Sequence, residues 1–206
     1  MKTNIWQESD IDLVAKALKE GEVVCFPTET VYGIGVIATQ EEAFNKLVAA
    51  KRRPPSKPFS MMTSTLEEAE AYVELGPKAK AVTEAYMPGE ITVLAKARKG
   101  LPRWITLGTP LIGIRIPDSP FVLELIKRVG APLLVTSANH SGDPTSTSFA
   151  ETLKAFDGEV VGIVQGECVS NLASTIVNIG SEEAISLVRE GPIPFKDIQK
   201  TWEEAK

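Results

Sequence analysis

Hydrophobic positions along this 206-residue chain switch between helical spacing and short apolar runs, which predicts interleaved helices and strands. Ile11, Val14, Ala15 and Leu18 recur at helical spacing over 10–20, with Ser9 placed to cap that helix and Gly21 to end it. Residues 23–26 read as a buried strand stopped by Pro27. A second strand over 31–37 carries Gly33 and Gly35 on alternate positions, a pattern that signals close approach of another backbone or a ligand. Residues 39–42 predict a capping box before a helix that carries Ala43, Phe44, Leu47 and Val48 towards Lys51, and residues 64–67 a second box before a helix reaching Tyr72. Pro77 suits the first turn of a helix ending before Met87-Pro88-Gly89.

Strands follow at 91–96 and 111–116. Asp118 or Ser119 with Pro120 opens a helix to Val129, closed by Gly130. A short buried strand at 133–135, a helix at 148–156 and strands at 160–164, 174–179 and 184–189 complete the pattern, with a loosely packed tail helix expected at 197–205. The irregular interleaving favours an α/β fold built on a mixed, twisted sheet flanked by helices over a regular doubly wound sheet. No repeat or linker divides the chain, so one domain over 1–206 is expected, with its core at 9–191 and a tail at 192–206.

Composition narrows the class. A hydrophobic fraction of 43% is ordinary for a globular chain. No apolar run approaches the ~20 residues that cross a bilayer. The start, MKTNIWQESDID, has no apolar segment of the secretory kind, so a cytoplasmic protein with no membrane partner is expected. Cys25 and Cys168 sit among apolar residues as reduced thiols, and a single histidine, His140, argues against a zinc site. The net charge of −5 disfavours general nucleic-acid binding, yet cations gather at 51–57 and 96–103. An acidic chain that concentrates cations in one place offers that place to an anion.

Three stretches hold candidate chemistry. Pro27–Gly35 sets Thr28, Glu29, Thr30 and Tyr32 at a strand-to-strand corner; its glycines precede a strand, unlike those of a dinucleotide fingerprint. Lys51–Lys57 places four cations around two prolines that hold the chain extended, a form suited to phosphate oxygens or simply to a helix C-terminus. Thr136–Thr145 follows a buried strand and is dense in small donors and acceptors, at the strand end where α/β folds bind ligands. His140 has no second histidine or cysteine nucleophile to work with and reads as a loop residue. Arg115 and Arg189 lie on otherwise apolar strands and need a partner there, either a carboxylate or a bound anion.

Seven segments then fall into one order: PTETVYGIG, KRRPPSKP, MPGEIT, GIRIP, TSANHSGDPT, ASTIV and VREG. Over residues 22–191 they resemble the YrdC-like domain of the L-threonylcarbamoyladenylate synthases of the TsaC type, in the short form without an additional C-terminal domain. The resemblance implies a deep, positively lined cavity. It also implies a nucleotidyltransferase that converts L-threonine, bicarbonate and ATP to threonylcarbamoyl-AMP and pyrophosphate, with Mg²⁺ carried by ATP and no metal held by the protein. That product feeds N6-threonylcarbamoylation of a tRNA adenosine, so tRNA and the downstream transfer proteins are implied partners. By position, Thr28, Thr30, Tyr32, Arg115 and Ser174 would bind L-threonine. Lys51 and Arg53 would act in catalysis and, with Lys57, Ser137, Asn139, Thr145 and Arg189, surround ATP. Met62, Lys57, His140 and Glu90 depart from the family pattern. A different class of function stands beside this one: a non-catalytic YrdC-like module that binds double-stranded RNA or tRNA.

Overall fold

A computed structural model describes residues 2–52 and 58–205. Arg53 and Lys57, two of the residues expected at the ATP phosphates, lie outside the described residues. In chain order the strands are β1 Asn4–Gln7, β2 Val24–Phe26, β3 Gly33–Ile37, β4 Ser60–Met62, β5 Val73–Glu74, β6 Ile91–Ala97, β7 Leu111–Arg115, β8 Leu133–Ser137, β9 Gly162–Gln165, β10 Thr175–Asn178 and β11 Ser186–Arg189. The helices are α1 Ile11–Lys19, α2 Glu41–Lys51, α3 Leu66–Glu70, α4 Pro77–Tyr86, α5 Arg103–Thr106, α6 Pro120–Val129, α7 Phe149–Phe156 and α8 Phe195–Glu204.

The strands join one mixed sheet in the order β1-β9-β2-β3-β8-β4-β7-β6-β10-β11, with β5 on the side of β6. β4 runs parallel to β7 and β6 parallel to β10, whereas β3–β8, β4–β8, β6–β7 and β10–β11 are antiparallel. This is the mixed sheet that the irregular interleaving predicts. Helices pack onto it and onto one another, α1 on α6 and α4 on α8. One apolar cluster runs from Val14 to Trp202 through the sheet.

Local signals behave unevenly. Gly21 does end α1, at φ +75°, a conformation that costs a residue with a Cβ more than it costs glycine. Gly35 also has its reason: a Cβ there would lie 2.9 Å from the Leu134 carbonyl oxygen, so the tight β3–β8 pairing excludes larger residues. Ser9, however, does not cap α1; it lies in a short 3₁₀ turn, and Asp10 Oδ2 instead accepts from the Gln7 N–H at 2.8 Å. The expected Thr39 box is absent because Gln40 is the N-cap, and its Nε2 reaches across to the Lys19 carbonyl at 2.9 Å. The second box gives way to a related arrangement one residue later. Thr65 Oγ1 caps the Glu68 N–H at 3.1 Å while Glu68 Oε2 accepts from the Ser64 N–H at 2.7 Å.

The tail corrects a further expectation. α8 is not loosely packed: Ile198 and Trp202 are buried, and the Lys78 ammonium lies 5.8 Å from the Trp202 ring centre. Removal of a large buried aromatic leaves an unfilled cavity, so Trp202→Ala is expected to cost about 3–5 kcal/mol in urea unfolding. A loss below about 1 kcal/mol would show the helix to be dispensable to the core.

Candidate functional site

The sheet's register builds the site. Met62 pairs with Arg115 and with Leu133, Val93 with Ile114, Ile176 with Thr92, and Ile176 with Arg189. Arg115, Thr92, Ile176 and Arg189 therefore stand in one row across β7, β6, β10 and β11. A cavity of about 280 Å³ opens over this row and extends to Ser137 at the end of β8, with Thr28 and Tyr32 of the 27–32 corner on its wall. That volume is near the lower edge of the roughly 300–1,000 Å³ usual for small-molecule sites. Among the described lining residues the charged groups are Arg115 and Arg189, and no carboxylate lines the wall.

Arg115 is held tightly. Its Nη2 donates to Glu29 Oε1 at 2.7 Å and to Thr30 Oγ1 at 2.9 Å, with the arginine side chain 6% exposed and the glutamate 10%. The sequence left open whether a carboxylate or an anion would answer this arginine, and a carboxylate does. Glu29 Oε1 also accepts from the Asp118 N–H at 3.0 Å, while Glu29 Oε2 and Arg115 Nε are buried without a hydrogen-bond partner. Thr30 Oγ1 lies 2.9 Å from Thr28 Oγ1, which donates to the Val31 carbonyl at 2.7 Å. The two threonines thus hold the corner in shape, with Thr28 on the cavity and Thr30 behind it.

Arg189 approaches from the other side. Its Nε and Nη2 donate to the Ser174 carbonyl at 3.1 and 2.7 Å. Burial and then the neighbouring Arg115 charge hold its pKa below the ordinary arginine value. Two guanidinium groups that repel each other across one cavity are stabilised by an anion placed between them. Ser174 Oγ lies 2.9 Å from Thr92 Oγ1, both residues buried at the cavity wall. Arg189 was expected at the nucleotide, yet the fold sets it on Ser174, one of the residues expected at the threonine end.

Lys51, expected at the phosphates, is the buried end of the basic stretch. It is 1% exposed, and its Nζ donates to the Ser137 carbonyl at 2.6 Å, to the Asn139 carbonyl and to Asn139 Oδ1 at 3.2 Å. The ammonium therefore sits beneath the 137–139 loop instead of lining the described cavity wall. Asn139 works in the same knot: Oδ1 accepts from Ser137 Oγ at 2.6 Å, and Nδ2 donates to the His140 and Asp143 carbonyls at 2.8 and 2.9 Å. Buried carbonyls demand such donors, so Lys51 and Asn139 shape the loop that presents Ser137.

Other expected residues separate by role. Tyr32 lines the cavity but spends its hydroxyl on the Gly166 and Val164 carbonyls at 2.8 and 3.1 Å, and burial pushes its pKa up. The hydroxyl is structural. Thr145 is half-buried and does not line the cavity. His140 is a loop residue, its Nε2 2.9 Å from Glu159 Oε2 and its ring against Phe156. Cys25 is buried and Cys168 half-buried, and burial pushes both thiols up, away from reactive thiolates. Neither Thr92 nor the pairing of Glu29 with Arg115 is legible in the sequence. Thr92 is the hydroxyl on the apolar run 91–95, and Glu29 the carboxylate in a corner of threonines, signals that gain meaning only beside Ser174 and Arg115.

Comparison with known proteins agrees with this architecture. The Sua5/YciO/YrdC family profile, described as telomere recombination, matches residues 16–191. A threonylcarbamoyl-AMP synthase of Pyrococcus abyssi is 32% identical over 202 residues, covering 97% of this chain and 59% of the relative. One from Xanthomonas campestris pv. campestris is 34% identical over 161 residues, covering 77% of this chain and 86% of the relative. The crystal structure of P. abyssi Sua5 complexed with L-threonine superposes with a TM-score of 0.91 at 30% identity, over 100% of this chain and 62% of that one. This chain thus spans about six tenths of the length of the Pyrococcus protein. Matched by the profile over most of its length and by relatives at this identity, the chain belongs to the Sua5/YciO/YrdC family.

Proposed function

We propose that this protein is an L-threonylcarbamoyladenylate synthase. The amine of L-threonine takes the carbon of bicarbonate with loss of water, the resulting carbamate oxygen attacks the α-phosphorus of ATP, and pyrophosphate leaves. The observation that carries the reading is the paired approach of Arg115 and Arg189 to one cavity whose wall also holds the Thr92–Ser174 hydroxyl pair. Cations and neutral donors around a shared space are what a carboxylate and a polyphosphate need, and the attack requires no protein nucleophile. Charge neutralisation and positioning then supply the rate. The similarity to proteins named threonylcarbamoyl-AMP synthase, one crystallised with L-threonine, supports the same assignment.

In this reading Arg115, Ser174 and Thr92 hold the amino acid, with Thr30 acting through Arg115. Ser137, on the loop shaped by Lys51 and Asn139, faces the nucleotide, and Mg²⁺ arrives with ATP as part of the substrate. Arg53 and Lys57 are assigned to the phosphates through the family resemblance. The product passes to the proteins that modify tRNA in the cytoplasm. The test is direct: purified protein with ATP, Mg²⁺, bicarbonate and labelled L-threonine should yield threonylcarbamoyl-AMP and pyrophosphate. Folded protein that makes neither, yet binds tRNA, would replace the synthase by an RNA-binding module.

A further inference from the structure

A synthase of this kind must sort two anionic groups, a carboxylate and a polyphosphate, between parts of one cavity. This sorting problem rests on the synthase reading. Glu29 answers it without lining the cavity. Its carboxylate is joined through Oε1 to Arg115 Nη2 at 2.7 Å and to the Asp118 N–H at 3.0 Å. Its backbone carbonyl accepts from the Val169 and Ser170 N–H groups at 3.1 and 3.0 Å, so the same residue ties down the segment that leads to Ser174. Arg115 and Arg189 line the wall, and Glu29 is the carboxylate bonded to either of them.

We propose that Glu29 is a positioning residue that sets the ligand class of this end of the cavity. By compensating Arg115, it makes the wall a site for the single carboxylate of a zwitterionic amino acid instead of a trap for a doubly charged phosphate or sulfate. Two unopposed guanidinium groups would attract a dianion strongly, and the charge of the buried Arg115 is screened less than one in water. Adding one negative charge behind the wall weakens a dianion most. An amino acid is nearly indifferent, because the field acts oppositely on its carboxylate and its ammonium. The orientation of Arg115 matters as well. With Nη2 committed to Glu29 and Thr30, the guanidinium meets the ligand in one fixed pose.

The experiment is calorimetric titration of wild type, Glu29→Gln and Glu29→Asp with sulfate and with L-threonine, each variant first shown to be folded by its melting curve. Glu29→Gln should bind sulfate about tenfold more tightly than wild type, while L-threonine binding does not tighten. Glu29→Asp keeps the charge and should leave sulfate within about twofold of wild type. Unchanged sulfate binding in Glu29→Gln, equal tightening of both ligands, or tightening in Glu29→Asp overturns the proposal. The double variant Glu29→Gln/Arg115→Gln removes a charge pair together and so avoids an uncompensated buried charge. It should bind sulfate more weakly than wild type, and sulfate binding as tight as wild type would place the anion away from Arg115 and overturn the proposal. The wild-type L-threonine titration separately tests the synthase reading: no binding there removes that reading, and the sulfate shift alone still decides Glu29.

Discussion

Arg115→Ala is expected to impair use of L-threonine and to destabilise the protein together. The substitution leaves Glu29 buried with its charge unanswered, since the pair is 6% and 10% exposed and the arginine supplies the side-chain contact at 2.7 Å. Breaking a buried pair from one side costs about 3–5 kcal/mol, because the remaining ion keeps its desolvation penalty and loses its partner. For a chain of 206 residues that corresponds to a fall in Tm of about 6–20 °C. The catalytic loss is separate. A charge-assisted hydrogen bond to a substrate carboxylate is worth about 1.5–3 kcal/mol, so kcat/KM for L-threonine should fall by at least about tenfold even in the folded fraction. Differential scanning calorimetry measures the first effect and a product assay well below the melting point the second. A variant with wild-type kcat/KM for L-threonine would remove Arg115 from the amino-acid end.

Lys51→Met should give the second large effect, and through a different route. Methionine roughly keeps the length and apolar stem but removes the ammonium that donates to the Ser137 and Asn139 carbonyls and to Asn139 Oδ1. The Ser137 carbonyl keeps the Asn139 N–H and Asn139 Oδ1 keeps the Ser137 hydroxyl, so the Asn139 carbonyl is the acceptor left short, and a net loss of about 1–3 kcal/mol is expected. The backbone adds to the coupling, because the Lys51 carbonyl also accepts from the Ser141 N–H at 3.0 Å, and that bond survives the substitution. The functional consequence should fall on ATP, since Ser137 is the loop residue on the cavity. We expect KM for ATP to rise more than KM for L-threonine. Equal changes in both would mean that the loop acts only as general scaffolding.

Much of the architecture is legible in the chain. The helices opened by Pro77 and by Ser119-Pro120 start where the sequence places them, because a proline in a first turn and a serine cap act over three or four residues. Strands at 91–97 and 111–115 follow from mostly apolar, β-branched runs. β1, β4, β5 and α5 escaped notice for a shared reason. Each is two to four residues long, and the exposed pattern of β1 carries no apolar alternation; backbone pairing with β9 makes it a strand. The packed α8 was misjudged because its amphipathic face is narrow. Ile198 and Trp202 are its buried residues, and only α4 opposite them reveals that this is enough.

The basic stretch shows where local reading ends. Four cations beside two prolines do identify a place of concentrated charge, but they do not say which cation faces a ligand. Lys51 terminates α2, and the turn that follows swings Arg52 outward to Glu159 at 2.8 Å while the lysine goes under the 137–139 loop.

By itself, the sequence determined that this is an α/β chain with a mixed sheet, which segments carry its chemistry, and which family pattern they follow. Those properties reside in short periods, caps and motifs, and neighbouring residues are sufficient to express them. The tertiary structure decided the partners: Glu29 for Arg115 across 86 residues, Ser174 for Thr92 across 82, and the Ser137 carbonyl for Lys51 across 86. A buried charge or hydroxyl must be answered by some group, and the residue type states that need. Which group answers is set by strand register and loop packing, and no local pattern records it.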